Sequence, residues 1–312
     1  MKLWLAPLHG ITNYYFRNVL FAHAKGIDAA IAPFIPVRPA EELNPLKWKD
    51  LLPENNIQSE VIPQLMGSIT SDFVDTTLAL SNLGYPHVNW NLGCPMKQIV
   101  RKKRGCGLMP FPDIIENVVE QFFAQTQSKL SLKIRLGLHH PSEGEEIIKR
   151  MNRYPLEFII IHPRLGDWLY EGTPDLDEFE RLAALSQHEI IYNGDITDVV
   201  TFQKIAQRFP QCQQWMIGRG LLQNPFLAEQ ILSNDTAGIS SEHRIRFVDY
   251  YQDLIKTLLN VRSQSGTLSG LKELWHSFAH FWNITDDELR ILLRTTTLDD
   301  FIEKSTRLIH HI

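Results

Sequence analysis

The chain of 312 residues is 44% hydrophobic and 21% charged, a composition typical of a protein that buries a large core. Its net charge of −5 disfavours a surface that is basic throughout, of the kind that binds nucleic acid, and leaves room for a local basic patch. The three cysteines, Cys94, Cys106 and Cys212, have no C-x-x-C spacing, so we expect neither a zinc ribbon nor a disulfide framework.

The N-terminal residues lead directly into an apolar stretch, without a segment that resembles a cleavable signal. No apolar run reaches the length that a membrane-spanning helix requires. The sequence therefore predicts a cytoplasmic protein without membrane contact. It gives no sign of a stable protein partner, and we expect a monomer.

Short apolar stretches recur along the chain as far as residue 217, and a helical pattern follows each of them. Eight of these stretches are predicted strands: residues 3–6, 29–32, 61–66, 88–91, 130–134, 158–162, 189–192 and 215–217. Strands that alternate with helices are typical of a parallel sheet, and eight such units predict an α/β fold of the (β/α)8 TIM-barrel type. Residues 34–56 carry four prolines and are expected to form an extended insertion.

From about residue 240 the apolar pattern becomes wholly helical, and Phe247, Tyr251 and Trp275 belong to aromatic stripes at helical spacing. Such a stripe is more typical of a helix core than of a platform that stacks nucleobases. Nine Lys and Arg face ten Asp and Glu in this part, so its charge does not indicate a nucleic-acid arm. We predict a barrel domain at 1–235 and a smaller all-α domain at 240–312.

Polar side chains lie at or just after the carboxyl ends of most of the predicted strands. These positions are Gln64, Asn91, Cys94, Lys133, Arg135, His162, Arg164, Asn193, Asp195 and Arg219. Taken singly, each is compatible with a structural role, because buried polar groups are usually satisfied by their neighbours. In a barrel, however, the carboxyl ends of the strands meet at one mouth, where such folds place their active sites. The set therefore predicts one functional mouth.

Cys94 follows the fourth predicted strand and lies between Gly93 and Pro95. Proline restricts the backbone and glycine adds no bulk, so the thiol is held on a defined and accessible loop. A lone cysteine is more often a small buried core residue. Its position after a strand end favours the functional interpretation.

Glycine segments follow the last two predicted strands, at Gly194 and Gly218. Helices are expected to begin directly after them, beside Asp195 and Arg219, where free N–H groups could hold a phosphate. No G-x-G-x-x-G fingerprint follows a strand, which disfavours a Rossmann-bound nicotinamide. Flavin mononucleotide (FMN) is therefore the favoured bound cofactor, and the cation of Lys133 would stabilise its anionic reduced ring.

Five motifs, in order and over nearly the whole chain, resemble the tRNA-dihydrouridine synthase family. They are LAPLHGITN at 5–13 with Phe16 and Arg17, NLGCPMK at 91–97, KIRLG at 133–137, IHPR at 161–164, and NGD at 193–195 followed by MIGRG at 216–220. The resemblance implies an FMN-binding barrel with a C-terminal helical domain that binds tRNA. It also implies reduction of a tRNA uridine to 5,6-dihydrouridine, with NADPH as the electron source.

The same resemblance implies roles for the residues of the mouth. Cys94 would protonate C5 of the uracil while C6 receives a hydride, and a thiol with an ordinary pKa of about 8.5 carries that proton near neutrality. Substrate contacts are expected from Asn91, Lys133, His162, Arg164 and Tyr170. FMN contacts are expected from Ala6, Pro7, Leu8, Gln64, Lys133, His162, Asn193, Gly194, Asp195, Gly218 and Arg219. No metal site is expected.

The segments FIPV at 34–37, YEG at 170–172 and LKELW at 271–275 look more like the subgroup that acts on D-loop uridine 16 than like the subgroup for position 20. The chain departs from the family pattern at Asn13, Met96, Cys106 and Pro163. Two other interpretations stay open. One is a catalytically altered module that binds or folds tRNA, and the other is an FMN barrel dehydrogenase of small pyrimidines.

Overall fold

The computed structural model describes residues 1–310. Their strands, all parallel, are β1 (Lys2–Leu5), β2 (Ala29–Ile31), β3 (Ile35–Pro36), β4 (Glu60–Ile62), β5 (Gln64–Met66), β6 (His87–Leu92), β7 (Lys129–Gly137), β8 (Phe158–Leu165), β9 (Glu189–Tyr192) and β10 (Gln214–Ile217). Their α-helices are α1 (Tyr14–His23), α2 (Thr70–Asn82), α3 (Lys97–Val100), α4 (Pro112–Gln125), α5 (Pro141–Met151), α6 (Leu176–Leu185), α7 (Val199–Arg208), α8 (Arg219–Gln223), α9 (Leu227–Ser233), α10 (Ser241–Val261), α11 (Gln264–Trp282), α12 (Asp286–Leu293) and α13 (Leu298–His310).

The sheet curls into a ring because β1 pairs with β10 on one side and with β2 on the other. The predicted third strand, 61–66, is wrong as a single strand, since Pro63 has no N–H to donate and divides it in two. Its first half, β4, pairs with β2, and its second half, β5, pairs with β6. This stretch therefore joins the two ends of the sheet, and the eight positions around the ring confirm the predicted (β/α)8 barrel.

Successive residues of each strand face opposite sides of the barrel wall. Leu3 and Leu5 belong to the main apolar core between the strands and the helices. Trp4, which lies between them, belongs to a second apolar cluster inside the barrel. The members of this cluster are Trp4, Ala6, Ala29, Ile31, Ile62, Phe158, Ile160, Ile191 and Met216. None of these nine lies on β5, β6 or β7, so polar side chains are left to fill the interior along those three strands.

The insertion at 34–56 contains β3 and four short 3-10 turns, and it is tied to the barrel by Arg17 of α1. The Arg17 side chain is fully buried and pairs with the Asp50 carboxylate at 3.1 Å. The same guanidinium donates to the Asp50 carbonyl at 2.9 Å and to the Asn56 side chain at 2.6 Å. One buried cation therefore satisfies several acceptors of a segment that has little core of its own.

The C-terminal helices pack on the barrel, α10 against α1 and α11 against α8. The predicted aromatic stripes are buried at Phe247, Tyr251 and Trp275, which confirms that they are core. The Phe226 ring, after α8, lies 6.0 Å from the Phe281 ring of α11, so apolar contact continues from the barrel into these helices. Among the described residues, no helix is long and apolar enough to cross a bilayer.

Replacing Arg17 with methionine is expected to lower the free energy of unfolding by about 3 kcal/mol, because acceptors of the insertion lose their buried donor. Urea denaturation measures this loss. Arg38→Met serves as the control within the same insertion, since Arg38 and Glu42 form an exposed i,i+4 pair and should contribute less than about 0.5 kcal/mol. Equally small losses for both variants would show that Arg17 does not hold the insertion.

Candidate active site

A cavity of about 520 Å³ opens at the carboxyl ends of the strands, a volume in the range of cofactor sites. Most of the predicted site residues line it: Ala6, Pro7, Leu8, Asn91, Cys94, Lys133, His162, Tyr170, Asn193, Gly194, Asp195, Gly218 and Arg219. Gln64 and Arg164 are buried and do not line the cavity. The fold thus brings together residues from the ends of β1 and of β6 to β10.

Two side chains hold the backbone of the loop that carries Cys94. The Asn91 Oδ1 atom accepts hydrogen bonds from the N–H groups of Gly93, at 3.1 Å, and Cys94, at 2.9 Å. The Arg135 Nε atom donates to the Gly93 carbonyl at 3.0 Å. The Asn91 side chain therefore orients the loop, while its contact with the substrate stays a prediction.

A second thiol completes this arrangement. The Cys106 Sγ atom lies 3.1 Å from the Cys94 carbonyl oxygen, which also accepts from the Cys106 N–H. Gly105 has a φ of +55°, and a Cβ there would lie 2.6 Å from the same oxygen, so the close approach requires glycine. Cys106 is fully buried, which agrees with packing. This departure from the family pattern supplies a donor to the loop that carries Cys94.

Burial raises the pKa of the Cys94 thiol, and the nearby cations Arg135 and Lys133 oppose that rise without cancelling it. The thiol is therefore protonated at neutral pH. This suits a proton donor and does not suit an activated nucleophile.

Lys133 is a cation without an anionic partner among the described residues. Burial, followed by the charge of Arg135, lowers its pKa to about 7. Its ammonium group makes no hydrogen bond or ion pair with any residue in the described part of the chain. An amine that faces the cavity with free donors fits a ligand that presents carbonyl oxygens or an anionic ring, as a flavin or a uracil does.

Arg164 lies behind the cavity wall and donates to the Asp195 carboxylate, with its Nη1 atom 3.0 Å from Oδ1. Its guanidinium also contacts the Glu171 carbonyl at 3.1 Å and the Nε2 atom of His162 at 3.1 Å. Because a guanidinium only donates, the His162 Nε2 atom accepts and the ring is neutral. Burial and the neighbouring cations likewise hold the pKa of His162 well below its usual range. Arg164 thus orients the side chains of His162 and Asp195, which line the cavity, without lining it itself.

Asp195 accepts from Arg164 and also from Arg219, at 2.7 Å. Burial alone would raise the pKa of this carboxyl, but the two arginines outweigh burial and lower it. Asp195 has a φ of +38°, in the left-handed region that residues with a side chain rarely adopt. The predicted helix start beside Asp195 is therefore wrong, and α7 begins four residues later, capped by Asp198.

The two glycine loops form one wall of the cavity and pack closely, Gly194 against a side chain and Gly220 against backbone. A Cβ on Gly194 would lie 2.9 Å from the Tyr192 hydroxyl, and one on Gly220 would lie 2.1 Å from the Ile196 carbonyl. The N–H groups of Gly194 and Arg219 make no hydrogen bond to another described residue. Together with the Arg219 side chain, which is half exposed, they fit a phosphate group.

The sequence interpretation missed several residues of the cavity rim, which are His9, Phe34, Glu273, His276 and Ser277. The rings of His9 and Phe34 are stacked, with their centroids 4.8 Å apart. The other three residues lie on α11, and no local pattern signals their position because it depends on how the C-terminal helices pack. The cationic run from Arg101 to Arg104 makes no ion pair with any residue of the described chain, and Lys103 Nζ lies over the Phe111 ring, 4.2 Å from its centroid.

Comparisons with known proteins agree with this geometry. The family model of dihydrouridine synthase (Dus) matches residues 4–295. The chain is 27% identical over 242 residues to a tRNA-dihydrouridine(16) synthase of Cupriavidus necator, covering 74% of this chain and 73% of that protein. It is 25% identical over 244 residues to tRNA-dihydrouridine synthase B of Pasteurella multocida, covering 75% and 71%.

A solved structure of a morphinone reductase variant shares the fold, with a TM-score of 0.52 and 10% identity over 75% of this chain and 86% of that chain. The family match is the stronger finding, because it includes every strand from β2 to β10, the Cys94 loop and most of the C-terminal helices. The chain therefore belongs to the dihydrouridine synthase family of flavin-dependent oxidoreductases.

Proposed function

We propose that the protein reduces a D-loop uridine of tRNA to 5,6-dihydrouridine, with FMN as the bound flavin and NADPH as the electron donor. The observation that carries the proposal is the protonated thiol of Cys94, held on a hydrogen-bonded loop. The same cavity contains the Lys133 amine, which has no anionic partner among the described residues and whose pKa of about 7 lets it carry a proton in about half of the molecules near neutral pH. A proton donor and a cation in one cavity match the reduction of a C=C bond conjugated to a carbonyl group.

The residues present fit an FMN molecule. The N–H groups of Gly194 and Arg219, with the Arg219 guanidinium, would hold its phosphate. Lys133 would lie against the isoalloxazine, and the backbone of Ala6, Pro7 and Leu8 would line the flavin from the end of β1. When bound and reduced, the flavin supplies a hydride to C6 of the uracil.

Cys94 donates a proton to C5 of the uracil, so that a hydride and a proton together saturate the C5=C6 bond. The thiolate that remains is stabilised by the charges of Lys133 and Arg135, which already favour the ionised form of Cys94. Solvent then returns the proton. The raised pKa of Cys94 keeps this return favourable at neutral pH.

The cavity is lined by residues at the ends of the barrel strands, so the tRNA would have to present the uridine in extruded form to reach Cys94. We propose that residues 240–312 form the helical domain that contacts the tRNA, because Glu273, His276 and Ser277 of α11 reach the cavity rim. The relative from Cupriavidus necator is named for uridine 16. Together with the segments at 34–37, 170–172 and 271–275, this favours position 16 for the present chain.

Replacing Cys94 with alanine is expected to lower dihydrouridine formation at least about 100-fold while tRNA affinity stays within about twofold, because only the proton donor is lost. Mass spectrometry of the treated tRNA measures the product. Cys212→Ala is the matched control, since Cys212 is a thiol outside the cavity, 3.2 Å from the Gln214 carbonyl. Full activity of the alanine variant would exclude Cys94 as the acid. Reduction of free pyrimidines without reduction of tRNA would instead support the small-molecule dehydrogenase.

The alkylation of Cys94 by iodoacetamide is expected to rise with pH and to reach half its maximum above the ordinary thiol pKa of about 8.5. The alkylation profile is expected to shift to higher pH because burial raises the pKa of Cys94, which keeps the unreactive thiol form to higher pH. Peptide mapping separates Cys94 from Cys106, which is fully buried. A plateau that is already complete at pH 7 would mean a thiolate, and a thiolate cannot be the proton donor.

A further inference from the structure

The barrel interior along β5, β6 and β7 is filled by a chain of hydrogen-bonded side chains. Asn91 Nδ2 donates to Gln64 Oε1 at 2.8 Å, and Gln64 Nε2 donates to Asn89 Oδ1 at 2.7 Å. Asn89 Nδ2 then donates to Ser131 Oγ at 2.9 Å, and Ser131 Oγ lies 2.9 Å from His87 Nε2. Gln64, Asn89 and Ser131 are fully buried.

The direction of this chain is set at the Cys94 loop. Two backbone N–H groups, which can only donate, point at Asn91 and require its oxygen to face them. Its nitrogen must then donate to Gln64, whose own nitrogen must donate to Asn89, and so on to Ser131. The Ser131 hydroxyl receives a hydrogen bond from Asn89, so its own proton has one acceptor among the described residues, the Nε2 atom of His87.

His87 is the first residue of β6, at the opposite end of the barrel from Cys94. It borders a separate cavity of about 350 Å³ that contains no residue of the active site. Burial lowers its pKa to about 4, with Glu157 opposing the shift and Lys129 and Lys2 adding to it. The ring is therefore neutral near pH 7 and is able to accept from Ser131.

From this arrangement we infer that His87 is a positioning residue for the Cys94 loop, acting through Ser131, Asn89, Gln64 and Asn91. If all the amides in this series of hydrogen bonds were flipped, the Ser131 hydroxyl could donate to Asn89. The Asn91 nitrogen would then face the loop N–H groups, so that donors would face donors. The loop N–H groups fix the direction of these hydrogen bonds, and the acceptor at His87 stabilises that direction because it satisfies the Ser131 proton at the other end. The inference rests on the proposed role of Cys94 only for its effect on catalysis.

Two substitutions separate positioning from packing. His87→Phe keeps an aromatic ring against Phe158, whose ring lies 5.4 Å away, but removes the acceptor. His87→Gln keeps an oxygen acceptor near the Nε2 position but removes the ring contact. If His87 positions the loop, His87→Phe should loosen the Cys94 loop and His87→Gln should leave it ordered. If His87 only packs against Phe158, His87→Gln should be the more harmful substitution.

The primary measurement is hydrogen exchange at the Gly93 and Cys94 amides, with a strand amide such as that of Trp90 as internal control. We expect exchange at the two loop amides to rise about tenfold in His87→Phe, the scale of one weakened hydrogen bond, and to stay near the wild-type rate in His87→Gln. Thermal unfolding of both variants verifies that they are folded at the temperature used.

A single-turnover assay of the reduced holoenzyme with tRNA gives the catalytic readout, and the expected loss is about tenfold in His87→Phe with unchanged tRNA affinity. Ser131→Ala already breaks this series of hydrogen bonds. In that background His87→Phe should therefore add little further loss of rate. Unchanged loop exchange in His87→Phe, or equal damage by glutamine, would overturn the inference. If His87→Phe speeds exchange at the loop amides but does not slow the reaction, His87 still positions the loop. That result would remove the link between loop position and catalysis, and it is the one expected if Cys94 is not the acid.

Discussion

The site depends on one side-chain amide. The Asn91 oxygen accepts from both Gly93 and Cys94, and the Asn91 nitrogen is held by Gln64 inside the barrel. Arg135 and Cys106 then fix the two carbonyl groups of the same dipeptide. A thiol that must protonate a ring carbon needs a defined direction of approach, and a loop whose peptide groups are all bonded provides it. The polar barrel interior is the structural consequence, since an apolar one could not hold the amide of Asn91.

Electrostatics divides the mouth into two parts. Around Cys94 the neighbours are cations, yet burial keeps the thiol protonated and lowers the pKa of Lys133 to about 7. Near the glycine loops, Asp195 compensates two arginines and leaves the Arg219 side chain half exposed. The first part suits transfer of a proton to an enolate-like ring, and the second suits a phosphate. The proposed proton transfer and the proposed phosphate anchoring would therefore use separate parts of the mouth.

Much of this arrangement follows from local sequence signals. Apolar stretches locate the eight positions of the barrel, and the strand ends identify Cys94 and Lys133 because the topology brings them to one mouth. Other features depend on long-range contacts. The break at Pro63 matters only because that stretch closes the ring, and Arg164 is withdrawn from the cavity by an ion pair with a residue 31 positions away. The rim residues of α11 reach the cavity through helix packing, which no motif encodes.

Mapping dihydrouridine in the tRNA of a strain that lacks this chain tests the proposed reaction most directly. Loss of dihydrouridine at position 16 alone, restored by the wild-type chain and not by Cys94→Ala, is the predicted result. Dihydrouridine that persists at position 16 and disappears elsewhere would contradict the proposed position. An unchanged map would contradict the proposed reaction on tRNA.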